Sequence, residues 1–107
     1  MRAKGWHGGP ASKSGAGYGI RISEADRDAH FDPEWPSVRI KVGTKWVAVE
    51  VSLSFWENCP ELRSKEIGEY MLDQGLAPWP KGKPPVFELI PDGDATFKLE
   101  GQRSDCP

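Results

Sequence analysis

Apolar and polar residues alternate most clearly between Val38 and Leu53. Val38, Ile40, Val47, Val49, Val51 and Leu53 fall on one side, and Arg39, Lys41, Trp46, Ala48 and Glu50 on the other. A period of two marks a half-buried strand, and a slip of one residue would send the whole apolar set into water. Gly43-Thr44 interrupts the pattern as a two-residue hairpin turn with glycine first. That turn pairs Val42 with Lys45, Lys41 with Trp46, Ile40 with Val47 and Val38 with Val49. One face then builds a core. The other sets the Lys41 ammonium beside the Trp46 ring, a cation–π arrangement worth about 0.5–1 kcal/mol when exposed.

Shorter patterns flank this hairpin. Tyr18-Gly19-Ile20-Arg21-Ile22 alternates as a first strand, and the polar segment from Ser23 to Ser37 reads as a loop with one helical turn begun by Ser23 or Asp26. Ser54-Phe55-Trp56 closes the later strand. Asn58 then stands three residues before Glu61 in the form of a helix N-cap, Pro60 suits a first turn, and Leu62, Ile67, Tyr70 and Met71 form a stripe. Gly75 supplies the C-terminal stop with Leu76 packing back on Met71. A helix is therefore expected from near Cys59, with Ser64 as the alternative cap of a later start. Near the end, Ile90-Pro91-Asp92-Gly93-Asp94 reads as a turn that pairs Leu89 with Ala95 and Phe87 with Phe97, placing Phe87, Leu89, Phe97 and Leu99 on one face.

The expected fold class is α+β: a small, mostly antiparallel sheet or partial barrel in the order β-β-β-α-β-β, with one main helix. Residues 1–17, rich in Gly, Ser, Ala and Lys, are expected to be a flexible N-terminal arm, 18–101 a single domain and 102–107 a C-terminal tail. The order of strands and helix resembles that of DNA-binding pseudobarrel domains, which implies nucleic acid as one class of partner.

Composition narrows the function classes. Of the 107 residues, 28% are charged and 37% hydrophobic, enough for one modest core and too apolar for wholesale disorder. A net charge of −2 leaves no global field to attract nucleic acid, so such binding requires a local basic face. No apolar run approaches the roughly 18 residues of a membrane span, and Met1 to His7 lack the apolar stretch of a secretory signal, so the expected location is cytoplasmic. Cys59 and Cys106 are accordingly expected as reduced thiols.

Candidate reaction chemistry is sparse. Asp26, Asp28, His30, Asp32 and Glu34 occupy alternate positions and would form an acidic row if the chain were extended. They do not make an EF-hand loop, since Phe31 stands where Gly is needed and Ser37 where a bidentate Glu is needed. Neither strand lysine follows an acid by two positions as a restriction-type nuclease requires. Cys59 sits at the expected helix N-terminus, where a thiolate is favoured, with only His7 and His30 as bases. No Gly-x-Ser-x-Gly elbow occurs, and Gly15-Ala16-Gly17-Tyr18-Gly19 precedes a strand rather than opening a phosphate-binding helix. An enzyme centred on Cys59 or on the acidic loop 24–34 is the third reading, and no cofactor or metal is expected.

Binding has more support. Trp6, Trp35, Trp46, Trp56 and Trp79 exceed what one small core easily hides, and aromatic rings dominate recognition energetics. Trp35 and Trp79, beside prolines, are expected to fold back as lids, leaving Trp46 as the surface candidate. The candidate binding residues are Arg39, Lys41 and Trp46 on the outer hairpin face, with Trp79, Lys81 and Lys83 on the loop from Leu76 to Pro85. The first reading is a non-enzymatic protein that binds a protein partner or forms a homodimer through Trp46. The alternative is a nucleic-acid-binding module in which Lys45 joins this face and Arg2, Lys4 and Lys13 add phosphate contacts.

Overall fold

A computed structural model of the chain describes residues 1–8, 15, 17–77, 79 and 82–100. Its strands are β1 (Arg2–His7), β2 (Tyr18–Arg21), β3 (Ser37–Val42), β4 (Lys45–Glu50), β5 (Glu61–Arg63), β6 (Val86–Pro91) and β7 (Thr96–Glu100). Three helices interrupt them: α1 (Glu24–His30) after β2, α2 (Leu53–Glu57) after β4, and α3 (Lys65–Asp73) after β5. All seven strands join one sheet in the order β4-β3-β7-β6-β1-β2-β5. The sheet curls until β4 and β5 approach each other without pairing, a nearly closed barrel. The fold is thus α+β with the sheet dominant, and the expected single main helix is replaced by three short ones.

The β3–β4 hairpin has the register its alternation dictates, with Val42 opposite Lys45, Lys41 opposite Trp46, Ile40 opposite Val47 and Val38 opposite Val49. Gly43, at φ +65°, supplies the left-handed turn residue. At β6–β7 the register differs from expectation: Leu89 pairs with Leu99 and Pro91 with Phe97. The turn lies beyond Pro91, closed by the Asp92 N–H donating to the Thr96 carbonyl at 2.8 Å, with Gly93 and Ala95 both at positive φ. Pro91 therefore ends a strand instead of opening the turn. The displacement is an even number of residues, so Phe87, Leu89, Phe97 and Leu99 still face the core and all are buried.

Three other departures trace to long-range partners. Arg2–His7 is not a free arm: β1 is inserted between β6 and β2, with Ala3 opposite Phe87 and Gly5 opposite Ile20. Ser54-Phe55-Trp56 belongs to α2, so Leu53 points to solvent and Phe55 takes the core position. Arg27 of α1 donates to the Phe55 and Trp56 carbonyls at 3.2 and 3.1 Å and lies 5.4 Å from the Trp56 ring, supplying the short helix with its C-terminal partner. Glu61–Arg63 extends as β5 because β2 offers it a strand edge, with Leu62 opposite Ile20 and the Ser64 N–H donating to the Tyr18 carbonyl at 3.0 Å.

The main stripe helix accordingly starts at the later cap. Ser64 Oγ accepts from the Ile67 N–H at 3.3 Å, and Asn58 instead ends α2. Its far end closes as expected at Gly75, with Gly75 N–H donating to Leu72 and Leu76 N–H to Met71, the paired bonds of a Schellman stop. Ile67 and Met71 enter the core beside Tyr18, Ile20, Ile40 and Val49. Among the described residues no helix is long and apolar enough to cross a membrane.

Candidate binding face

With alternate residues committed to the core, the other set of each strand lines the outside of the barrel. On β4 and β3 these are Trp46, Glu50, Arg39 and Lys41; on β7 and β6, Lys98, Glu100, Glu88 and Ile90. On β1, β2 and β5 they are Arg2, Lys4, Trp6, Arg21, Glu61 and Arg63. The outward face therefore carries seven cations against four carboxylates, although the chain as a whole is at −2. The acids are concentrated on the helices, as Glu24, Asp26 and Asp28 of α1 and Glu66, Glu69 and Asp73 of α3.

Parallel pairing of β3 with β7 places Lys98 in register with Lys41, whose other neighbour is Trp46 on β4. Ile90 lies opposite Lys98 on β6, so Trp46, Lys41, Lys98 and Ile90 form one row across four strands. Both ends of the row are exposed, Trp46 at 43% and Ile90 at 39%. The ring's cationic partner is not Lys41, as the direct pairing suggests, but Arg39, whose guanidinium carbon lies 5.3 Å from the ring centroid. Arg39 stands diagonally from Trp46, opposite Ala48, and the longer planar side chain reaches the ring across that diagonal. Lys98 pairs with Asp92 at 3.9 Å.

A second aromatic–cation pair occupies the other end of the same face. Trp6 of β1 is opposite Gly19 of β2, which in turn is opposite Arg63 of β5. The missing side chain at Gly19 lets Arg63 cross β2 and lie 4.7 Å from the Trp6 centroid. Two residues along, Lys4 faces Arg21 directly, and Arg21 pairs with Glu61. Glu61 also holds Arg63, at 3.4 Å.

The remaining expected site residues lie elsewhere. The Trp79 ring covers the inward face of β1 and β2, 5.6 Å from Tyr18 and 5.2 Å from His7, where Gly5 leaves room for it. Trp35 likewise packs on Phe31 and Phe97, so both rings are lids. Lys83 is exposed on the Trp79 loop, apart from the Trp46 row, while Lys81, Lys13 and Cys106 lie outside the described residues. Lys98, Ile90, Arg21, Arg63 and Trp6 were not legible as site residues, because strand order alone brings them to this face.

Among the described residues, neither of the two catalytic arrangements suggested by the sequence is brought together. Residues 24–30 are helical, with Ser23 capping Asp26 at 3.1 Å, so Asp26, Asp28 and His30 of the extended row turn around α1, while Asp32 and Glu34 lie in the loop beyond its end. Cys59 is exposed between α2 and β5 and does not stand at a helix N-terminus. Among the described residues no group of three His, Cys, Asp or Glu side chains is placed to hold a metal ion. A cleft of about 610 Å³ separates the β3–β4 turn from α3, lined by Lys45, Tyr70 and the carboxylates of α3. A second, of about 520 Å³, opens beside Trp6 and Arg63.

Comparison with known proteins finds no matching family model and no curated protein or solved structure of significant similarity.

Proposed function

We propose that this chain is a small non-enzymatic binding module whose partner is a nucleic acid, held on the outward face of the sheet. One observation carries the reading. Lys41 faces Lys98, and Lys4 faces Arg21, as direct cross-strand neighbours. Like charges so placed oppose folding, and a partner with closely spaced negative charges turns that cost into attraction. The seven outward cations of the sheet against its four carboxylates leave locally the positive excess that the net charge lacks. A face this rich in charge is also unlike the core of a protein–protein interface, which is depleted of charged residues, and closer to the polar, positive surfaces that meet nucleic acid.

Fluorescence anisotropy with a labelled random oligonucleotide tests the reading. Affinity should fall steadily with salt, and replacing Lys41 and Lys98 by Gln should lower the slope of that dependence by about one per lost phosphate contact. Absence of binding at low salt would end it.

A second reading is a protein partner or a homodimer, favoured by the exposed Trp46 and Ile90 at the two ends of one row. Light scattering across a concentration series tests the dimer, and a strict monomer removes it.

A further inference from the structure

The two aromatic–cation pairs on the outward face differ in their surroundings. Beside Arg39 and Trp46 the sheet is open. Beside Arg63 and Trp6 lies the cleft of about 520 Å³, whose walls include Gly8, Gly17 and Lys65. That volume falls in the range of small-ligand sites, about 300–1,000 Å³. Trp6 is held firmly as its base: a side chain at Gly8 would come within 2.9 Å of the ring, so the indole lies tight against the backbone there. The Gly8 N–H donates to the Gly17 carbonyl at 2.8 Å and fixes that backbone. Arg63 covers the ring with a planar cation whose side chain is 65% exposed, leaving its outer surface open. Among the described residues it pairs with Glu61, at a long 3.4 Å, and Glu61 is shared with Arg21.

We infer that this cleft is a subsite for one unpaired nucleotide. The base stacks on the outer plane of the Arg63 guanidinium, with Trp6 as the platform beneath, and exposed Lys65 meets the adjacent phosphate. Guanidinium planes and aromatic rings stack any base, because every base has a π-face, but a base paired in a duplex cannot reach such a stack. The inference rests on the nucleic-acid reading above and narrows it to strands with unpaired bases.

The test compares a labelled oligothymidylate with a blunt duplex of the same length, both titrated with the full chain at one salt concentration. The single strand should bind about tenfold tighter, a difference within the range of one base stack. Arg63→Lys, which keeps the charge and loses the plane, should abolish most of that preference. Lys65→Gln should weaken the single strand and lower the slope of its salt dependence by about one. A circular-dichroism melt on each variant separates lost binding from lost folding. Equal affinity for both probes, or an Arg63→Lys variant with an unchanged ratio, overturns the subsite while the binding face stands. No binding of either probe overturns the face itself.

Discussion

Arginine lies over tryptophan at both the helical cap and the sheet, but the two arrangements do different work. Arg27 over Trp56 has its guanidinium already used: it donates to the Phe55 and Trp56 carbonyls and to Asp28, and its side chain is only 12% exposed. Arg63 over Trp6 is open to solvent, with one long ion pair. The same residue types are tied into the fold in the first case and largely open to solvent in the second. What separates them is whether the donors of the cation are consumed inside the chain, since a satisfied guanidinium has little left for a partner.

This contrast can be broken in graded steps. The largest effect should come from Gly19→Ala, because a Cβ there would stand 2.3 Å from the Leu62 carbonyl oxygen and 2.8 Å from the Arg63 Cα, both backbone atoms. The β2–β5 pairing that brings Arg63 to Trp6 must then shift, at a cost of about 3 kcal/mol read from urea denaturation. An unchanged midpoint would show that β5 is not held as described. Arg27→Ala should follow, losing about 2 kcal/mol as two part-buried carbonyls lose a charged donor. A loss near zero would place Arg27 among the surface cations.

Smaller changes sharpen the other side of the comparison. Ser64→Ala removes the α3 cap beside the cleft and should cost about 1 kcal/mol, seen as a lower thermal midpoint. Arg63→Ala and Arg39→Ala should each cost about 0.5–1 kcal/mol at most, since exposed cation–π pairs are weak. The expected signature is inverted relative to Arg27: little loss of stability and a clear loss of nucleic-acid binding. A double-mutant cycle with Trp6→Leu would put a figure on the Arg63 coupling.

The two hairpins show how far sequence reaches. At β3–β4 the turn and the alternation act on adjacent residues and agree, so the register follows from Val38 to Lys45 without outside help. At β6–β7 the Pro-Asp-Gly signal marked the turn, but the loop extends to Ala95, and Pro91 pairs with Phe97 at the end of the strand instead of opening the turn. Of the candidate site, Arg39, Lys41 and Trp46 were legible because one hairpin carries them. Trp79 was legible as a lid, but not the place it covers, since its contact with Gly5 is one that only the path of the chain creates.

By itself the sequence determined which face of the β3–β4 and β6–β7 strands must be buried, where α3 stops at Gly75, and that a basic surface would have to be local. Periodicity, capping and net charge act over a few residues or over the whole composition, and both are visible in a linear chain. Only the tertiary structure decided that β1 enters the sheet, that β7 runs parallel to β3, and that Gly19 lets Arg63 reach Trp6. Those depend on which strand edges remain open once the core has formed, and no local pattern records them.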